Sequence, residues 1–193
     1  MKRKILLLSL LGVFGLTSST MADTGTAVVS QSVMGGPLSI NTANFTLTST
    51  TLNGENQTVS GSAGSVWTVK DPRGTGTGWS LTVSATDLVS GAGTVETTPR
   101  TIALGQAGMS ISSGTITKET GSDPENTLVS NTVTLTSSNQ TFISSPGNNK
   151  GKYTFTPTIQ FTLPANAYRS NYSGTVGSSP LNPYVSTLTV TIS

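Results

Sequence analysis

The chain has no cysteine and no histidine, and only 9% of its residues are charged. Without cysteine there is no thiol chemistry and no disulfide framework. Without histidine neither a Ser-His-Asp triad nor a His-ligated zinc can be built. The sparse charge also argues against nucleic acid, which needs clustered Lys and Arg, and against a polybasic membrane patch. The apolar run from Ile5 to Leu16 is too short to span a bilayer.

That run follows Lys2-Arg3-Lys4 and precedes a small-residue site at Thr20-Met21-Ala22. The pattern predicts a signal peptide over residues 1–22. The mature chain would be 171 of the 193 residues, one domain over 23–193 with a loose leader at 23–35. Setting Lys2, Arg3 and Lys4 aside leaves seven basic against eight acidic residues. The mature surface is therefore nearly neutral, and the excess of basic residues belongs to the signal peptide. Hydrophobic residues make up 34%, and the balance is largely Ser, Thr, Asn and Gly. Disordered chains combine low hydrophobicity with high charge, which is not this profile.

Alternation dominates what remains. Val66 to Leu88 reads as strand, glycine-rich hairpin, strand. Trp79, Leu81, Val83 and Ala85 share one parity, and Ser80, Thr82 and Ser84 share the other. Side chains alternate faces along a strand, so this is a half-buried strand with a wet hydroxyl face. Leu38–Ile40, Phe45–Leu47, Gln57–Ser60, Thr101–Leu104, Met109–Ile111 and Thr132–Thr136 give further short strands. Asp87–Thr98, Thr120–Asn126 and Ser144–Lys152 read as loops. Tyr153, Phe155, Ile159, Phe161 and Leu163 share one parity in a long strand, in which Pro157 puts the centre at a sheet edge or a bulge. Leu188, Val190 and Ile192 face inward in the terminal strand. No helix-period segment survives outside the signal peptide. About ten short strands predict an all-β, single-domain, mostly antiparallel β-sandwich or distorted barrel.

The segment around Trp79 resembles the first motif of the WxL domain, a cell-wall-binding module of Gram-positive surfaces. Asp71, Arg73, Gly74, Gly78, Trp79 and Leu81 match its Asp, Arg and Gly-rich loop and the Trp-x-Leu strand that follows. Tyr184 with Thr187-Leu188-Thr189-Val190-Thr191-Ile192 is similar to the second motif, a Tyr followed by Thr-Leu-Thr-Trp-Thr-Leu. Val190 stands where the family has its second Trp, and Ile192 where it has the final Leu. One aromatic is thus missing from any aromatic binding pair. The similarity covers almost the whole mature chain. It implies a secreted protein of the cell surface and cell wall, attached non-covalently to peptidoglycan. It also implies partnership with a membrane-anchored WxL-interacting protein and with other WxL surface proteins, and no direct membrane anchor in the mature chain.

The candidate contact residues for wall or partner are then Trp67, Asp71, Arg73, Trp79, Leu81 and Tyr184. Trp79 is either a platform for a sugar ring or a core residue, and its parity with Leu81 and Val83 favours the core. Trp67 lies in the facing strand of the same predicted hairpin, where a cross-strand aromatic contact is open. Asp71 and Arg73 form either an Arg fork presented to a wall-peptide carboxylate or a pair that stabilises its own loop. Gly74-Thr75-Gly76-Thr77-Gly78 is turn chemistry, because a nucleotide loop needs a helix after its glycines. Asp123-Pro124-Glu125-Asn126 reads as a turn, its spacing matching no calcium loop. A glycosidase needs two carboxylates about 5–10 Å apart, and the eight acidic residues are scattered. No catalytic residue, metal or cofactor is expected. The alternative to wall attachment is an adhesive or structural subunit. It would bind surface proteins or itself by strand addition along Tyr153–Leu163 or Thr187–Ile192.

Overall fold

The computed structural model describes residues 26–171 and 182–193. The expected signal peptide lies outside these residues, as do parts of Tyr168–Val176, which the sequence reads as a short strand or irregular stretch, and of Gly177–Pro183, which it reads as a loop. The chain divides into units Met1–Val33 and Met34–Ser193. In the first unit, residues 26–33 hold no regular structure.

The second unit is built from β1 (Ser39–Asn41), β2 (Gln57–Ser62), β3 (Trp67–Asp71), β4 (Trp79–Ala85), β5 (Leu88–Ser90), β6 (Arg100–Ile102), a one-turn helix α1 (Leu104–Ala107), β7 (Ser110–Ser112), β8 (Thr117–Lys118), β9 (Val129–Ser130), β10 (Val133–Thr134), β11 (Gln140–Ser145), β12 (Gly151–Phe155), β13 (Thr158–Leu163) and β14 (Leu188–Ile192). Three four-stranded antiparallel sheets run in the orders β1-β3-β12-β8, β10-β7-β13-β2 and β14-β4-β11-β9, and β5 pairs with β6. The fold is an all-β sandwich with no closed barrel.

One feature of the pairing organises the rest. The run β2–β3–β4 and the run β11–β12–β13 lie antiparallel along their whole lengths, β4 on β11, β3 on β12 and β2 on β13. Each run changes sheet twice, and both change together. The first corner joins 63–66 to Thr156-Pro157, where the Ala63 amide donates to the Pro157 carbonyl (2.9 Å). The second joins loop 72–78 to loop 146–150, where the Asn148 amide donates to the Gly76 carbonyl (2.9 Å). Across the core, Trp79 meets Tyr153 at 6.4 Å between ring centroids and Phe142 meets Phe155 at 6.1 Å. These contacts hold the β4 sheet against the β3 sheet.

Two sequence readings are corrected by this topology. β3 and β4 are not a hairpin, because loop 72–78 carries the chain from one sheet to another. Tyr153–Leu163 is not one strand at an edge. Pro157, which has no amide proton to offer a ladder, turns the corner between β12 and β13, and each of these strands is paired on both sides. The expected Phe45–Leu47 strand is only a bridge between Phe45 and Ala63. Strands lie where alternation predicts none, β5, β9 and β11 among them. β5 lies inside the expected loop Asp87–Thr98. In β11 a bulge between Thr141 and Ile143 buries the consecutive residues Phe142 and Ile143 and hides the period.

The second corner is close-packed backbone. A Cβ on Gly78 would sit 2.5 Å from the Ser145 carbonyl oxygen, whereas one on Gly91 would meet nothing within 4 Å. Gly78→Ala is expected to destabilise by about 1–3 kcal/mol and Gly91→Ala by less than about 0.5 kcal/mol, as read from thermal unfolding by circular dichroism.

Candidate functional site

Trp79, Leu81, Val83 and Ala85 are all buried, and Ser80, Thr82 and Ser84 are half-exposed on the other side of β4. Trp79 is 4% exposed, and Trp67 is 1% exposed. The Trp79 indole N–H points to the Asn149 carbonyl at 3.4 Å, and its ring packs on Tyr153. The Trp67 N–H donates to the Ala43 carbonyl at 3.0 Å, and its ring lies against Phe45 and Phe155. The two indoles stand on strands of different sheets and make no cross-strand pair. Both are anchored inside, and neither offers a ring face to a sugar.

Asp71 is 1% exposed. The Arg73 Nε donates to Asp71 Oδ1 (2.8 Å) and its Nη2 to Oδ2 (3.0 Å), a two-pronged pair. The same Nη2 reaches the carbonyls of Thr77 (2.9 Å) and Gly78 (3.1 Å), and the Arg73 amide reaches Asp71 Oδ1 (3.2 Å). Hydrogen bonds from Arg73 hold the Asp71 carboxyl below the usual carboxylate range against the opposing effect of burial. The reciprocal pair raises Arg73. Of the two readings open for this pair, the geometry is that of a clamp on its own loop. The guanidinium closes 72–78 as it crosses between sheets.

The facing loop is pinned in the same way. Buried Asn149 accepts from the Ser145 hydroxyl (2.6 Å) and donates to the Pro124 carbonyl (2.9 Å) and Thr127 Oγ1 (2.7 Å). Asp123 accepts from the Lys150 amide (2.8 Å) and pairs with its ammonium (2.7 Å). The Tyr153 hydroxyl donates toward the Asp123 carbonyl (3.0 Å), and burial raises its pKa. The Thr120–Asn126 loop is therefore tied to the second corner through its carboxylate and its carbonyls.

The interior residues decide what lies outside. The segment that resembles the second motif forms β14, which pairs directly with β4, Leu188 opposite Ala85 through to Ile192 opposite Leu81. The sequence alone did not show that the two motifs are neighbours. With Trp79 and Leu81 turned inward, Ser80, Thr82 and Ser84 face out beside Thr189 and Thr191. The Ser80 and Ser193 hydroxyls lie 3.4 Å apart, and Ser144 of β11 stands opposite Ser80 on the other side. The result, over β4 and β14, is a sheet face of hydroxyls without a charged side chain. At its end opens a cleft of about 690 Å³, whose walls include Ser84, Thr86, Thr136 and Thr187 and whose floor includes Leu104 and Leu135. Asp87 at its rim accepts from the Leu104 amide (2.8 Å).

Tyr184 lies apart from the other five sequence-predicted residues. It is half-buried, its hydroxyl donates to the Tyr168 carbonyl (3.0 Å), and burial raises its pKa while the charge of Arg100 opposes the shift. Arg100 and Tyr168 carried no signal in the sequence, since neither belongs to a periodic run or a motif.

A family model described as WxL domain surface cell wall-binding matches residues 25–176 of the chain. No curated protein and no solved structure matches it.

Two outcomes follow from the burial of these groups. Trp79→Ala should destabilise the whole domain by about 3–5 kcal/mol, seen as global loss of the near-ultraviolet circular dichroism signal on mild heating. Because the folded Asp71 carboxyl is depressed, its contribution is complete above the unfolded value, near pH 4, and is lost as pH falls through the folded value. Denaturant titrations should show stability falling below about pH 4. Arg73→Ala should lower stability at neutral pH and flatten that acid limb.

Proposed function

The chain belongs to the WxL family of surface cell wall-binding domains, and from this premise we propose that it is a secreted, non-enzymatic protein held non-covalently on peptidoglycan. The match over residues 25–176 carries the reading. The physics of the exterior supports it. A sugar polymer presents hydroxyls, amides and few charges. The β4–β14 face presents Ser80, Thr82, Ser84, Thr189 and Thr191 in a rigid array, each able to donate and accept. Many such contacts, each worth about 0.5–1.5 kcal/mol net, give additive and readily reversible attachment along a repeating polymer. In this reading the six sequence-predicted residues act unequally. Trp67, Trp79 and Leu81 orient the strands, Asp71 and Arg73 hold the corner, and Tyr184 reaches the surface.

A second reading rests on the edge at β14. Ser80 and Ser193 exchange both backbone hydrogen bonds. The antiparallel alternation then directs the amide and carbonyl groups of Leu188, Val190 and Ile192 away from β4. Among the described residues β14 pairs with no other strand. An extended segment of a WxL-interacting protein or another WxL protein would add there as a further strand.

Purified peptidoglycan should sediment the protein, and equal recovery with and without wall material would count against attachment. Thr191→Glu, a charge placed on the exposed hydroxyl face, should lower retention several-fold without unfolding the domain. Dye-labelled peptidoglycan incubated with the protein should release no dye.

A further inference from the structure

Seven cationic side chains lie among the described residues, and four of them pair with carboxylates: Arg73 with Asp71, Lys150 with Asp123, Lys152 with Glu119, and Arg169 with Glu96. Lys70 and Lys118 are exposed ammonium groups on strands. Arg100 is different. It opens β6, it is half-buried, and no described carboxylate lies within ion-pair reach of it. Its Nε is shut away from water without an acceptor. Its guanidinium carbon stands 4.1 Å from the centre of the Tyr168 ring.

A half-buried cation with no counter-charge loses hydration that nothing in the protein returns. The stacking on Tyr168 offsets part of this, and it also fixes the plane of the guanidinium. Tyr184 secures the platform from behind by donating to the Tyr168 carbonyl. Tyr168 itself is 62% exposed. One oriented fork and one open phenol ring thus lie together. A planar fork matches a planar carboxylate in particular. A single positive charge beside apolar surface suits one carboxylate on a short peptide with small apolar side chains. A phosphate chain, with its regular charges, would call for several cations.

We propose that Arg100 and Tyr168 form a subsite for a free carboxylate of the wall's peptide stems. The terminal guanidinium nitrogens take the oxyanion, and the phenol ring takes the adjoining apolar surface. This rests on the wall-binding reading above and adds to the hydroxyl face an anionic contact that sets direction.

The test uses the full chain, purified peptidoglycan and a soluble muramyl dipeptide. Wild type should sediment with peptidoglycan and bind the dipeptide in calorimetry. Arg100→Gln should weaken dipeptide binding about tenfold or more and remove most of its salt dependence. Its melting temperature should be nearly unchanged, since among the described residues the side chain makes no hydrogen bond. Tyr168→Leu, at an exposed position, should weaken binding as well and serves if Arg100→Gln fails to fold. The methyl ester of the dipeptide should bind wild type as weakly as the free acid binds Arg100→Gln. If wild type sediments with the wall while Arg100→Gln or Tyr168→Leu keeps full affinity for the dipeptide, the subsite is wrong and wall binding stands. Glycerol phosphate competing better than the dipeptide would equally overturn the carboxylate assignment. If wild type fails to sediment, the wall-binding reading falls and takes this one with it.

Discussion

The fold depends on two stretches of chain turning the same corner together. Strands β3 and β4 on one run and β11 and β12 on the other change sheets at loops 72–78 and 146–150, and neither turn can be made alone. Gly78 lies so close to the Ser145 carbonyl that no side chain fits. The Arg73 guanidinium meanwhile ties the buried Asp71 carboxylate to the carbonyls of Thr77 and Gly78. A buried carboxylate is tolerable only with such a partner. The charged pair in the motif therefore serves the backbone path, and the aromatic contacts of Trp79 and Phe142 with the opposite sheet serve the packing.

From that corner the surface follows by parity. Once Trp79 and Leu81 are seated inside, the pleat leaves Ser80, Thr82 and Ser84 no choice but to face out. The register of β14 against β4 then places Thr189 and Thr191 beside them. The tryptophan that names the motif thus fixes what its neighbours present. The same logic accounts for Val190 at the position where the family carries a second Trp. Val190 is half-buried, facing inward on β14, and a branched aliphatic fills that position while the outward threonines are unchanged. In the proposed attachment, a neutral hydroxyl face needs few charges. Uncharged polar faces do not steer at long range, but they are little screened by salt and suit a polymer of sugars.

How much of this could be read beforehand depends on whether the signal was local. Alternation marked β4 and β14 closely, because both keep a strict two-residue period over a half-buried strand. It missed β11, where the bulge buries Phe142 and Ile143 in succession. It also joined β12 to β13, because Pro157 preserves the parity of Tyr153 and Ile159 while the chain bends. The hairpin reading of Val66–Leu88 failed for a related reason. A glycine-rich loop between two strands looks the same in sequence whether it returns the chain beside itself or carries it across to another sheet.

The linear order of residues determined which side of each strand is apolar, that no histidine or thiol chemistry is available, and that the two motifs resemble those of one family. Periodicity and composition are properties of neighbours along the chain. Only the tertiary structure decided that the two motif strands pair, that both indoles are enclosed, that Arg73 is occupied by its own loop, and that Arg100 is left with an aromatic ring and, among the described residues, no counter-charge. The Arg73 clamp is local, closed with partners two to five positions away, but the others depend on residues tens of positions apart, and pairing at that range is set by the packing of whole sheets.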